Sequence, residues 1–305
     1  MVYHEVRNVK GKKQNYLVFN SRVNGKWVKK SKFIGYGKIR ESELKAKKEE
    51  FELEIASESK SVYLTKEQKI EIEKLKRQYR KMIKSLTREE FEKFENAFFT
   101  ELTYNSNAIE GSSLSLEDTN LIINEGLVPE GKTLREIHEA RNHIKALKFL
   151  KEYKKDIDEF FILRLHGIIL KDISERFAGR YRETRVRIFG SEASFPDAEK
   201  VPQLMKNLVY WYGLNRKKMH PFELAIVFSV RFVSIHPFVD GNGRMSRLLM
   251  NYILKRNKHP WINIYDKQRT SYLKVIRKAN DEDYLPVLEF CIKTSRENLE
   301  SFKIL

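Results

Sequence analysis

A short apolar stretch, Leu224 to Ile235, limits the fold more than any other part of the sequence. It carries only Arg231 as a charge and is too short to span a membrane, so it predicts a helix buried in a protein core. Pro221 suits the first turn of this helix, because the first N–H groups of a helix have no helical acceptor. We therefore expect a buried helix from Pro221 to Ile235, directly before a glycine-rich segment.

Helical patterns continue on both sides of that stretch, from Leu64 onward. Three sites match the capping box, in which a Ser or Thr and a residue three positions later satisfy each other's backbone: Thr65–Gln68, Thr87–Glu90 and Ser115–Asp118. Apolar spacing predicts further helices over 137–150, 160–173, 201–211, 271–279 and 284–295, and one from near Gly243. One interruption, 182–195, predicts an inserted β-hairpin. The fold class is therefore mainly α.

The first 40 residues differ from the rest and predict a small β unit. Two strand-like runs flank Asn24-Gly25, a pair that favours a tight hairpin turn because both positions accept positive φ. A charged stretch over 41–60 predicts a helical or flexible connector. We predict three segments: a basic β unit over 1–40, a helical linker over 41–95 and the main helical domain over 96–305.

Charge concentrates in the same N-terminal unit. The whole chain of 305 residues has a net charge of +17, and residues 1–40 hold eleven Lys or Arg against Glu5 alone, which gives 11 − 1 = +10. Such a patch attracts polyanions, and its aromatic residues could stack bases of a nucleic acid. The favoured interpretation is plainer: the aromatics form the core of the unit, and the lysines are solvated.

The remaining bulk features predict a soluble, cytoplasmic protein with no membrane contact. No apolar run reaches membrane-spanning length, and the first residues lack the apolar core of a signal peptide. The single cysteine, Cys291, lies in an apolar helical pattern, so we expect a buried thiol and no internal disulfide.

The segment from His236 to Arg247 combines groups that suit phosphate chemistry. Gly241 and Gly243 allow close approach of the backbone at the start of a helix, where free N–H groups favour an anion. Arg244 and Arg247 are three residues apart and share one helix face, which adds two guanidinium groups for several phosphates.

Two further residues of this segment supply reactive groups. Asp240 can hold Mg²⁺, which binds through one or two carboxylates and substrate phosphates. His236, four residues earlier, is the side chain suited to general-base work near neutral pH. Together they indicate phosphoryl or nucleotidyl transfer. His220 also precedes Pro-Phe but lacks the rest of the pattern, so we interpret it as a helix-entry residue.

This segment resembles the signature of the Fic family, His-x-Phe-x-(Asp/Glu)-Gly-Asn-Gly-Arg-x-x-Arg, at every fixed position. The resemblance extends over roughly residues 100–290 and does not cover 1–60. It implies a Fic-type helical domain and a protein adenylyltransferase, which moves AMP from ATP to a Ser, Thr or Tyr hydroxyl of a protein with Mg²⁺. ATP is the default donor, although some relatives use UTP or CDP-choline.

The resemblance also implies a role for each residue. His236 would be the base, and Asp240 would hold Mg²⁺. The α-phosphate would meet Asn242 and the amides near Gly241 and Gly243, the β-phosphate Arg244 and the γ-phosphate Arg247, while Phe238 would anchor the segment in the core. The hairpin would act as the family's flap, which docks an extended target through Arg185, Val186, Arg187 and Ile188.

A second motif, Ser106 to Gly111, resembles the family's inhibitory motif (Ser/Thr)-x-x-x-Glu-(Gly/Asn). A carboxylate from Glu110 beside Arg247 would occupy the space that the γ-phosphate needs. This implies self-inhibition, in which Ser106 belongs to the same motif. By itself the pattern also fits many helix ends.

Several alternatives stay open. Some relatives remove AMP from proteins, with the inhibitory glutamate orienting a water molecule. A different class of function is a nucleic-acid-associated regulator that senses nucleotide with the same fold and binds nucleic acid through residues 1–40. The family often forms homodimers, so a second copy of the chain would be a further partner besides the target protein. The chain itself could also be the target.

Overall fold

The computed structural model describes residues 2–23, 26–186 and 194–302, and these are mainly α, as expected. They form a three-stranded antiparallel sheet followed by eleven α-helices. The strands are β1 Val2–Val9, β2 Lys12–Val23 and β3 Lys26–Tyr36. The helices are α1 Glu41–Ser57, α2 Lys66–Ser85, α3 Arg88–Ile109, α4 Leu116–Asn120, α5 Leu134–Glu152, α6 Glu159–Leu170, α7 Val201–Asn215, α8 Pro221–Ile235, α9 Asn242–Arg256, α10 Arg269–Asn280 and α11 Leu285–Ser301.

The chain divides into two compact units. One contains Met1–Ser59 and Thr65–Lys74, and the other contains Lys60–Leu64 and Leu75–Leu305. The first therefore holds the sheet, α1 and the beginning of α2, and the second holds the rest of α2 and α3 to α11. In the described residues, no helix is both long and apolar enough to cross a bilayer.

The first unit is a sheet with order β1-β2-β3 packed on one helix. The expected hairpin strands β2 and β3 pair in antiparallel fashion, while the turn residues Asn24 and Gly25 lie outside the described residues. The connector expected after the sheet is the helix α1.

The core of this unit is largely aliphatic, which corrects the interpretation of its aromatic residues. Val2, Leu17 and Ile34 from the three strands pack with Phe51 of α1. Tyr3, Trp27, Phe33 and Tyr36 are instead exposed to solvent, Trp27 by 74% and Tyr36 by 63%. Since side chains alternate along a strand, the face with Val2 and Leu17 packs on α1, while these four rings lie on the opposite face, which also carries the buried Val18.

The helices of the second unit begin where the sequence predicts. Thr87 and Ser115 form complete capping boxes with Glu90 and Asp118 at the starts of α3 and α4. His220 is the N-cap of α8: its Nδ1 accepts from the Phe222 N–H at 3.3 Å, which confirms its helix-entry role. A short π-helical segment, Leu121–Glu125, extends α4 and ends at a left-handed glycine.

Helices α8 and α9 lie at the centre of the second unit's core. Their contact is the most extensive between any two helices of this unit, and most residues of both helices are buried. Helix α8 has the bounds expected from its apolar pattern. The loop that joins the two helices is held by a rigid core on both sides, which positions the groups of the signature segment.

The predicted hairpin stays a prediction. Its central residues 187–193 lie outside the described residues, and 181–186 and 194–197 form no regular secondary structure. Cys291 is a buried free thiol, as expected.

Candidate active site

His236 occupies a strained position at the junction of the two central helices. It is the C-cap of α8 and has left-handed backbone angles, φ 50° and ψ 59°, which cost a non-glycine residue about 1–2 kcal/mol. Buried Arg182 holds this conformation from outside the helix: its Nε donates to the His236 carbonyl at 2.8 Å, and its backbone N–H donates to the Pro237 carbonyl at 3.0 Å.

The imidazole of His236 is set up to accept a proton through Nε2. Nδ1 lies 3.3 Å from the Val233 carbonyl, which can only accept, so this contact assigns the ring hydrogen to Nδ1. Burial lowers the pKa of His236 to about 4, so the ring is neutral at physiological pH. The ring of Phe195 covers it, with the two ring centres 4.0 Å apart.

Phe238 anchors the segment in the core, as its family role implies. It is fully buried and stacks on the imidazole of His166, with ring centres 3.6 Å apart and planes within 4°. His166 accepts from the Gly179 N–H through Nδ1 and lies 3.0 Å from the Asp240 carbonyl through Nε2. His166 therefore braces the backbone directly beside the proposed metal ligand.

The start of α9 presents free backbone amides. Gly241 is the N-cap with φ 79°, a conformation that favours glycine, and the first helical hydrogen bond runs from the Met245 N–H to the Gly241 carbonyl. The amides of Asn242, Gly243 and Arg244, here called the anion nest, consequently have no helical acceptor. Such a group of N–H donors at a helix N-terminus favours phosphate.

The side chain of Asn242 is committed to the loop. Its Oδ1 accepts from the Phe238 N–H at 3.0 Å and its Nδ2 donates to the Phe238 carbonyl at 2.8 Å. Both bonds fix the turn, so the backbone amide of Asn242 is its more available donor to a phosphate.

Asp240 and Arg244 form a closed ring of ion pairs with two residues of α5. Arg244 contacts Asp240 and Glu139, each at 3.2 Å, and Arg135 contacts the same two carboxylates. Burial alone would raise the pKa of Asp240, but Arg244, the Gly241 N–H and Arg135 hold it below its usual value. Asp240 is therefore an ionised oxygen donor, as a magnesium ligand must be.

The two arginines of this ring differ in solvent exposure. The side chain of Arg244 is only 3% exposed, whereas that of Arg135 is 58% exposed. Arg244 is thus a fixed part of the site, and Arg135 is a surface group that can leave Asp240.

Arg247 is held by the second motif. Its Nε donates to Ser106 Oγ at 3.1 Å, its Nη2 donates to the Ser106 carbonyl at 2.7 Å, and its Nη2 also pairs with Glu110 at 2.8 Å. Glu110 is the C-cap of α3. The motif that sequence reasoning linked to Arg247 is therefore in direct contact with it.

The Glu110 carboxylate also covers the anion nest. A methyl group placed on Gly243 would overlap with this carboxylate, lying 2.9 Å from its carbon atom. A carboxylate therefore already lies beside the amides that would receive a phosphate, and a side chain at position 243 would have to displace it.

Two of the four proposed flap residues are described. Arg185 pairs with Asp197 at 3.1 Å and is largely exposed, and Val186 is half-buried. Arg187 and Ile188 lie outside the described residues.

Sequence reasoning missed four residues that shape the site: Arg135, Glu139, His166 and Arg182. Each comes from a helix or loop remote in sequence from the signature segment, so no local pattern identifies it. Arg182 had the nearest signal, because it ends the run Gly179-Arg180-Tyr181-Arg182 before the predicted hairpin.

Comparisons with known proteins identify the family of the domain that carries this segment. Residues 156–254 match the model of the Fic/DOC family. The chain is 32% identical over 213 residues to the protein adenylyltransferase Fic of Nematostella vectensis, which covers 68% of this chain and 49% of the relative. The corresponding protein of Drosophila grimshawi is 30% identical over 210 residues, with coverage of 68% and 43%. The chain thus spans about half the length, or less, of these curated relatives.

Solved structures give the same result. A Fic-domain signaling protein of Bacteroides thetaiotaomicron has a TM-score of 0.70 at 27% identity, with 76% of this chain and 95% of that chain covered. Residues 134–508 of Fic-1 from C. elegans have a TM-score of 0.65 at 29% identity, with coverage of 76% and 69%. The matched helical region holds the complete signature segment, and we conclude that the chain carries a domain of the Fic/DOC family.

Proposed function

We propose that this protein is a self-inhibited protein adenylyltransferase, which transfers AMP from ATP to a Ser, Thr or Tyr hydroxyl of a protein. One observation carries the proposal: a neutral, oriented histidine, an ionised aspartate, an anion nest and two arginines all belong to one short segment. The curated relatives are named protein adenylyltransferases, which favours this chemistry over other uses of the fold.

His236 would act as the base. Its Nε2 would take the proton of the target hydroxyl as that oxygen attacks the α-phosphate and pyrophosphate leaves. Because the ring is neutral and Nδ1 is bound to the Val233 carbonyl, Nε2 is the nitrogen with a free lone pair. The proton ends on Nε2, and one P–O bond forms as another breaks.

The anion nest and the arginines would bind the triphosphate. Amides at a helix start stabilise the charge that grows on the α-phosphate, while Arg244 and Arg247 would meet the β- and γ-phosphates. Arg244 is already oriented by Glu139, so it needs little rearrangement.

Asp240 would hold Mg²⁺, and the donor set fits that ion. Mg²⁺ takes hard oxygen ligands and commonly uses one carboxylate with substrate phosphates, as one ionised aspartate beside a phosphate site would provide. When bound, the ion would neutralise phosphate charge. Arg135 would have to release one oxygen of Asp240, and its exposure to solvent permits this.

Glu110 would keep the enzyme weakly active. Its carboxylate occupies both the partner position of Arg247 and the space above Gly243, so a γ-phosphate must displace it. The Glu110 carboxylate and a γ-phosphate beside it would repel each other, and a bound ATP would therefore be pushed out of its reactive pose. The target would dock along Arg185, Val186, Arg187 and Ile188.

The test is AMP transfer in a cell extract with α-labelled ATP and Mg²⁺. We expect strong labelling of protein bands by Glu110→Gly, weak labelling by the wild type and none by His236→Ala. General-base removal costs about 10²- to 10⁴-fold in rate, which is enough to remove the signal. Label on the chain itself counts as a positive result.

Two outcomes would change the proposal. If no variant labels protein although all are folded and bind ATP, ATP-driven transfer is wrong, and other nucleotide donors are tested next. If Glu110→Gly is no more active than the wild type, self-inhibition is wrong. Removal of AMP from a pre-labelled protein, lost in Glu110→Gly, would instead identify the hydrolytic activity of the family alternative.

A further inference from the structure

The face of the N-terminal sheet that points away from α1 carries an unusual set of side chains. Tyr16 and Phe33 are opposite each other on β2 and β3, so they share this face. Arg7 and Tyr3 of β1 lie on it too, because their partners on β2 are each two residues from Tyr16. Trp27 lies at even spacing from Phe33, and Tyr36 is paired with Gln14 beyond the bulge. We call these six residues the open face: Tyr3, Arg7, Tyr16, Trp27, Phe33 and Tyr36.

Three rings of the open face, those of Tyr16, Phe33 and Tyr36, contact one another in a row. The ring centres of Tyr16 and Phe33 are 5.5 Å apart and those of Phe33 and Tyr36 are 4.9 Å apart. The Arg7 guanidinium lies 4.0 Å above the ring of Tyr16. Yet four of the five rings are substantially exposed. A contiguous patch of exposed aromatic rings is typical of an interaction site. Such rings stabilise a fold only when they are buried, so their exposure here favours a role in binding.

The charges around the open face are mostly cationic. Glu5, the one acidic residue of 1–40, lies on this face opposite Tyr16 and pairs with Arg7 and Lys29. No carboxylate among the described residues pairs with Lys10, Lys12, Lys13 or Lys38, whereas Lys30 and Lys32 are paired with glutamates of α1. The Gly37 N–H donates to the Lys13 carbonyl, which brings Lys38 near Lys12 and Lys13, at the end of the sheet where Tyr36 lies. The free positive charges therefore border the exposed rings at the Tyr36 end of the sheet.

We propose that the open face binds single-stranded nucleic acid, with bases stacked on Tyr36, Phe33 and Trp27 and the phosphate backbone following the lysines. Stacking on aromatic rings combined with a cationic path is how single strands are bound without sequence preference. A duplex hides its bases from such rings. A second copy of this chain would bring the same excess of +10 over residues 1–40, which opposes self-association through this face.

The test uses the full chain without ATP or Mg²⁺, so its result is independent of AMP transfer. Fluorescence anisotropy is measured with a labelled oligothymidylate of about 15 nucleotides, an oligouridylate of equal length and a duplex. We expect both single strands to bind more tightly than the duplex. The affinity should fall with rising salt, with a logarithmic slope of about −0.7 for each phosphate contact.

Variants locate the site. Trp27→Ala and Tyr36→Ala should each weaken single-strand binding at least about fivefold, which corresponds to the ~1 kcal/mol lower bound for one stacked base. Both side chains are mostly exposed, so their removal leaves the core intact. The matched control is Tyr210→Ala, an exposed ring on α7 of the other unit, which should bind as the wild type does.

The charge component has its own pair of variants. Lys12→Gln with Lys13→Gln should lower affinity and make the salt slope shallower, whereas Lys206→Gln with Lys217→Gln removes the same charge from the helical unit and should not. Equal effects of the two pairs, or unchanged affinity in both aromatic variants, would overturn the open-face site. Preference for the duplex, or binding only to anionic phospholipid vesicles, would overturn the choice of ligand.

Discussion

The signature segment and the open face both combine aromatic rings with cations, but they treat these groups in opposite ways. In the signature segment, Phe238 is fully buried and Arg244 and Arg247 are paired with carboxylates. On the open face, four of the five rings are exposed, and Lys10, Lys12, Lys13 and Lys38 at its border pair with no carboxylate of the described residues.

The difference shows how each region would meet its ligand. In the proposed active site, a phosphate would replace Glu110 at Arg247 and a metal ion would replace Arg135 at Asp240, so binding would be an exchange of partners. At the lysines that border the open face, chiefly water and counterions would leave. An exchange of partners allows regulation, because any contact that holds Glu110 in place would also weaken ATP binding. The affinity of a solvated surface would depend chiefly on salt concentration.

The largest expected difference concerns stability after removal of one ring from each region. Phe238→Ala should lower the free energy of unfolding by about 3–5 kcal/mol, because it leaves a cavity beside His166. Tyr36→Ala should lower it by less than about 1 kcal/mol, since the ring is exposed. Urea unfolding followed by circular dichroism compares the two, and similar losses would contradict the assignment of a core anchor to Phe238.

The next largest expected effect is on ATP affinity after removal of the Glu110 carboxylate from the proposed nucleotide site. Glu110→Gly should tighten binding of a non-hydrolysable ATP analogue by about tenfold, which lies within the usual range for energetic coupling between two sites. Calorimetry in a His236→Ala background avoids turnover. Glu110→Gln, which keeps the size of the side chain but not the charge, should give part of the gain. Weaker binding by both variants would mean that Glu110 supports the nucleotide rather than competing with it.

A smaller effect is expected at the metal ligand. Arg135→Ala should tighten Mn²⁺ binding by up to about fivefold, because an exposed ion pair contributes about 0.2–1 kcal/mol. Paramagnetic resonance of Mn²⁺ with the ATP analogue present reports free and bound ion directly. The control is Arg88→Ala, which breaks the exposed pair with Glu92 on α3. Loss of Mn²⁺ affinity in Arg135→Ala would show that Arg135 helps to bind the ligand.

The smallest expected effect is that of pH near neutrality. Burial lowers the pKa of His236 to about 4, so the base is already deprotonated at pH 6, and protonation blocks it only as the pH falls toward that value. For Glu110→Gly, kcat/KM should vary little between pH 6 and 8 on account of this group and should fall on the acid side near pH 4. If kcat/KM instead fell with an apparent pKa near 6.5, the pKa of a free histidine, the His236 ring would be solvated rather than buried.

The sequence by itself determined the elements and the chemistry of the site. Capping boxes, the apolar stretch and the glycines are local signals, so α3, α4, α8 and the start of α9 were found where expected. The signature segment also brought its reactive groups together within a few residues. The pairing of Glu110 with Arg247 was inferred from a resemblance, not from local geometry.

Only the tertiary structure decided which groups face each other across the chain. Arg135 and Glu139 of α5, His166 of α6 and Arg182 reach the signature segment because helices remote in sequence pack together, and contacts of this kind leave no local pattern. The same limit applies to the sheet. Alternation of side chains assigns residues to two faces, but only packing against α1 determined that Val2 and Leu17 are buried while Tyr3, Trp27, Phe33 and Tyr36 are exposed.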